Sequence, residues 1–161
     1  MKRWCSLWGL GLLLLGLISC LASKEGGDFV RRSLEAHRLA DAALERGDLD
    51  EARTRLESIW RAQGAAGLAE ADRRVILQDV AFRLAALEAE AGKPEVALAR
   101  AEAGLALGAH EDLFTANLLI ERGRACEALQ RDAEAVQSYA QAMSINEKLL
   151  DEALAARGGQ R

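Results

Sequence analysis

The sequence holds one proline, Pro94, two histidines, three cysteines and only 4% aromatic residues. So little proline, in a chain whose apolar half is mostly Ala and Leu with Glu and Arg between, favours helices. These residues lose little rotamer freedom in that conformation. Positive charge is not in excess either: 21 basic residues face 25 acidic ones. No basic stripe exists to neutralise phosphates, which excludes nucleic acid as a partner. Convergent titratable groups are scarce. His37 and His110 belong to no metal-spaced cluster, and no phosphate loop, CxxC pair or hydrolase motif occurs, so neither a metal site, a cofactor nor an enzyme is expected. Both histidines read as surface or edge residues. The acid pairs Glu88/Glu90 and Glu111/Asp112 read as solvated helix faces and a helix N-terminus.

What is present begins at the N-terminus. The opening MKRW is a short positive segment, followed from Leu7 to Ile18 by an apolar run of signal-peptide rather than membrane-spanning length. Leu17-Ile18-Ser19-Cys20 comes next, and this resembles the lipobox of bacterial lipoproteins. The resemblance implies cleavage after Ser19 and thioether lipidation of Cys20, with several acyl chains making a stable anchor where one would not. By the same resemblance, to lipoproteins of two-membrane bacteria, Leu21 in place of the retaining Asp implies an outer-membrane protein facing the periplasm. With Lys2 and Arg3 removed, 19 basic residues face 25 acidic ones and the mature charge is −6. Cys5 leaves with the leader and Cys20 carries lipid, so Cys126 has no disulfide partner and reads as a small buried thiol. Residues 1–19 are thus expected to be leader and 20–27 a tether, roughly 28 Å long if fully stretched.

From Phe29 to about Ala156 helical periodicity is almost unbroken, and the length suits one domain, expected over 28–156 with a flexible tail at 157–161. Residues 39–60, 84–105 and 123–143 share one pattern: an apolar helix, a tight polar turn, and a second helix with an early Ala. Ala40, Ala85 and Gly123 are small positions on the first helices. Ala52, Leu56 and Ile59, then Ala97, Ala101 and Gly104, then Ala135, Tyr139 and Ala142 line the second ones. Small residues there allow close helix approach. Asp48 with Glu51 suggests a capping box, and Pro94 suits a first turn. Between the first two copies a long helix is expected from about Leu68, and the last helix should run on through Leu154 to cap the exposed end.

These three stretches resemble the tetratricopeptide repeat, strongly in the third copy and weakly in the second. Early-helix Trp and terminal Pro are absent, and the copies are 45 and 38 residues apart instead of 34. The resemblance implies an all-α fold, a short right-handed solenoid of about three stacked helix pairs. It also implies a protein-binding groove on the first helix of each pair. Carried over, that groove comprises Leu34, His37, Asp41 and Leu44, then Asp79, Phe82 and Ala86, then Asn117, Ile120, Arg124 and Glu127. The groove reads as an apolar strip of Leu34, Leu44, Phe82 and Ile120 edged by charge. The function it implies is an envelope assembly module holding another envelope protein or peptide segment. The rival readings are an accessory subunit of an envelope enzyme, such as a cell-wall hydrolase, and a self-associating structural lipoprotein.

Overall fold

The computed structural model describes residues 6–62 and 67–158, with side chains described over 24–62 and 67–157. The described residues form six helices and no strand. These are α1 (Ser6–Glu45), α2 (Leu49–Arg61), α3 (Glu70–Glu90), α4 (Pro94–Leu105), α5 (Leu113–Ala128) and α6 (Asp132–Gly158). Each helix packs on the next, and α3 also packs on α5.

The odd-numbered helices end alike. Gly47, Gly92 and Gln130 take left-handed φ values of 75°, 71° and 60°. The amide that follows each donates five residues back: Asp48 to Ala43 at 2.9 Å, Lys93 to Glu88 at 2.9 Å, Arg131 to Cys126 at 2.8 Å. This is the Schellman closure, in which a left-handed residue lets the chain satisfy carbonyls that the helix leaves open. Asp48 then caps α2 by accepting from the Glu51 amide at 3.0 Å. Glu51 does not reciprocate but pairs with Arg55, so only half of the expected capping box forms. Pro94 opens α4, where its missing N–H is not needed.

The core mixes alanines with larger apolar residues. Phe29, Ala36, Ala40, Ala43, Ala52, Leu56, Ile59, Leu77, Val80, Leu84 and Leu87 bind α1, α2 and α3 together. Ala97, Leu98, Ala125, Cys126 and Ala135 do the same for α4, α5 and α6. Two glycines make this closeness possible. A Cβ on Gly104 would lie 2.7 Å from Leu118 Cδ2 and 2.8 Å from the Ala81 Cβ, and one on Gly123 would lie 2.5 Å from the Tyr139 ring. Polar ties complete the joints. Buried Gln78 donates to the carbonyls of Gly104 and Gly108 at 3.3 and 3.0 Å and accepts from Arg74, which also reaches Asp112 at 2.9 Å. Asp112 in turn caps α5 by accepting from the Thr115 amide.

Several expectations need correction. Residues 20–27 are helical and continuous with α1, so they reach about 12 Å rather than 28 Å. Gly26 is buried, its Cβ position 2.9 Å from the Gly67 carbonyl oxygen, so α1 leans on the α2–α3 link where an extended tether would have hung free. Glu88 is not on a solvated face. It is buried because α2 covers that side of α3, and its Oε1 accepts from Arg53 Nε at 2.8 Å. Helix α3 starts at Glu70, and α6 stays helical to Gly158, into the expected tail. Residues 1–5 of the expected leader and 159–161 of the tail lie outside the described residues, as does the side chain of Cys20, the expected lipidation site. Among the described residues no helix is long and apolar enough to cross a membrane.

Candidate functional site

The residues expected to form a groove lie on α1, α3 and α5, and the structure divides them into three groups. The first is a polar bridge between α1 and α3. Arg83 Nη1 donates to His37 Nδ1 at 2.8 Å, and Arg83 also pairs with Asp41. Asp79 Oδ2 stands 3.5 Å from the same His37 nitrogen. An arginine can only donate, so Nδ1 accepts and the neutral ring carries its proton on Nε2. Burial, the larger influence, pulls His37 below its ordinary pKa of 6.5, against the pull of Asp79 in the other direction. His37 is therefore a half-buried member of this cluster, where a surface or edge residue was expected. The resemblance to the repeat, carried over residue by residue, named His37, Asp41 and Asp79. It did not single out Arg83, whose position one turn after Asp79 is the only hint in the chain.

The second group is apolar. Leu44, Leu56, Phe82 and Ala86 line a cavity of about 220 Å³, with Arg83 and Glu90 beside them. Phe82 and Leu44 are thus partly covered, Leu44 packing against the α1–α3 core. Leu34, at 67% exposure, is the most open of the expected residues with an apolar side chain. The strip is interrupted: the polar bridge occupies His37 and Asp41 between Leu34 and Leu44 along α1.

The third group lies on α5. Asn117 and Ile120 are half-buried, and Arg124 and Glu127 are exposed. Arg124 Nη1 donates to Glu121 Oε1 at 2.9 Å, while Glu121 Oε2 is buried with no hydrogen-bond partner. Burial raises the Glu121 carboxyl above its ordinary value, with Arg124 opposing the shift. Glu127 accepts from the Tyr139 hydroxyl, and burial together with this carboxylate pushes Tyr139 up to about 12. Nothing in the helical pattern marked Glu121, because a charge next to Arg122 reads as solvent-facing.

A larger concavity of about 820 Å³ lies elsewhere, between the end of α4, α5 and α6. Leu105, Leu119 and Ile145 are among its apolar lining; His110, Arg122, Gln137 and Gln141 are among its polar groups. Residues from three helices and one link meet there, so no local spacing announces it. Cys126 is free and buried in the α4–α6 core, and burial raises its thiol pKa, which leaves it a packing residue rather than a nucleophile. Among the described residues no three His, Cys, Asp or Glu side chains gather as a metal site requires. Comparison with protein-family models, curated proteins and solved structures finds no match to the chain.

Proposed function

We propose that this chain is a lipid-anchored interaction module of the bacterial envelope that holds a partner protein or peptide against the shared face of α1, α3 and α5. The observation that carries the reading is the order of packing. Helix α2 packs on both α1 and α3, α4 packs on both α3 and α5, α6 packs on α5, α3 packs directly on α5, and Arg83 bridges α3 to α1. That arrangement is the one a tetratricopeptide-like solenoid requires, and the three matching turns support it. Its odd-numbered face offers exposed Leu34, half-buried Phe82 and Ile120, and the charges of Asp41 and Arg124. An amphipathic helix or extended segment can bury the apolar groups, each worth roughly 1.5–3 kcal/mol when fully desolvated, and pair with the charges.

The anchor fits this use. If Cys20 is lipidated, it sits six residues before buried Gly26, about 9 Å along a continuous helix. The binding face then has a set orientation at the membrane, in the periplasm if the envelope has two membranes. The test is cross-linking in the intact envelope, followed by affinity purification and mass spectrometry, with Leu34→Asp/Ile120→Asp beside the wild type. A dominant partner lost from the variant supports the reading. The same partners in both samples, with the variant still folded, removes it. Export of a Cys20→Ala variant without labelling by a fatty-acid probe tests the anchor separately.

A further inference from the structure

Helix α6 carries an apolar face that no described residue covers. Among the described residues seven large hydrophobic side chains are exposed, and four of them, Val136, Met143, Leu150 and Leu154, lie on this one helix. At 3.6 residues per turn they fall within about 40° of arc, so they form a single stripe. The stripe runs the length of the helix, and residues 151–157 are exposed all round. A bare helical end of this kind is marginal in water unless something packs on it.

We propose that the partner is a second copy of this chain, the two α6 helices pairing antiparallel about a twofold axis near Ile145. In that register Val136 faces the second copy's Leu154, Ala140 faces its Leu150, and each contact occurs twice. Antiparallel pairing brings like flanks together. On one flank Asp132 meets the second copy's Arg157 at both ends, and Tyr139, held by Gly123 and Glu127, meets Leu150. On the other flank Glu147 falls opposite Met143 and Ser144, and Asp151 opposite Ala140, so no two carboxylates stand directly opposed.

The length of α6 gains a reason in this arrangement. Its first half is backed by α5, and its second half extends beyond α5. The twofold sets the bare half of each copy against the backed half of the other, with the two α5 helices at opposite ends and clear of each other. A lipid surface is the poorer occupant, because Asp132, Glu147 and Asp151 border the stripe and are repelled by anionic headgroups. Of the groove residues only Glu127 is involved, through its hold on Tyr139, and none lies on the stripe, so the inference stands or falls apart from the proposed function.

The experiment is sedimentation equilibrium of the full chain in detergent, with helicity checked by circular dichroism. Every sample keeps the same apolar N-terminal run, so differences report on α6. The wild type should be dimeric. Leu150→Asp, at an exposed position, should keep its helicity and weaken association at least about 100-fold, since two buried leucines are lost per dimer. Asp132→Arg should weaken it about 10-fold, and Asp132→Arg/Arg157→Asp should recover most of that loss. A wild type that is monomeric at every concentration overturns the proposal. So does a dimer indifferent to Leu150→Asp, or a double variant no better than Asp132→Arg. A monomer that binds anionic vesicles through Leu150 overturns it in favour of lipid.

Discussion

Gly104 offers the sharpest test of the packing described above. Replacing it with alanine improves intrinsic helix propensity by about 1 kcal/mol, so a reading of α4 in isolation calls the change stabilising. The structure reverses the sign. The new methyl would lie 2.7 Å from Leu118 Cδ2 and 2.8 Å from the Ala81 Cβ. Leu118 can rotate, but the Ala81 methyl is fixed to the α3 backbone, so α3 and α4 must move apart. Overpacking of this kind costs about 1–3 kcal/mol. The net expectation is a loss of about 1 kcal/mol and a fall in Tm of about 4 °C.

Gly27→Ala is the control, because it too is in a helix and has nothing within 4 Å of its Cβ position. It should gain about 0.5–1 kcal/mol. Urea unfolding followed by far-UV circular dichroism, with equal slopes for all variants, measures both. Adding Ala81→Gly to Gly104→Ala should give a favourable coupling of at least about 0.5 kcal/mol, since the fixed contact is removed. Gly104→Ala as stable as the wild type, or more so, refutes the three-way contact of α3, α4 and α5.

Gln130 holds the left-handed position that glycine occupies in the other two turns, so Gln130→Gly should stabilise the fold by about 1 kcal/mol; denaturant midpoints measure it. Gln78→Leu strips the Gly108 carbonyl of its side-chain donor, the Gly104 carbonyl of one of its donors and Arg74 of an acceptor, and should cost about 1–3 kcal/mol in the same assay. His37 is favoured neutral in the folded chain, so its pKa there lies below the unfolded value. The unfolded chain then takes up the proton first as pH falls through 6.5, and stability drops with it. His37→Gln keeps an acceptor for Arg83 without titrating, so its stability should decline less than that of the wild type over this window. Parallel pH profiles of the two proteins would refute the assignment.

The helical fold was legible where local chemistry decides it. Alternation of apolar positions, the Gly-Asp turn at 47–48, the cap at Asp48 and the first-turn Pro94 act within a few residues of chain, and the helices start and stop accordingly. The third turn closes without a glycine, Gln130 taking there a left-handed conformation that its side chain does not favour. Glu88 was misjudged, and Glu121 went unmarked, for a related reason. Burial of a carboxylate depends on which helix covers it and which cation arrives, and Arg53 comes from 35 positions away. Of the candidate site, His37, Asp41, Asp79 and Phe82 came from the repeat resemblance, carried over residue by residue. The bridge through Arg83 did not.

By itself, then, the sequence determined the helical class, the turns and the closely packing small residues, since each is written in neighbouring residues. Only the tertiary structure decided that α1 continues through residues 20–27 to rest on the α2–α3 link, that Arg83 interrupts the apolar strip, and that α6 ends with an uncovered stripe. These depend on distances between segments far apart in the chain. Helix periodicity states which side of a helix is apolar, but not whether another helix arrives to cover it.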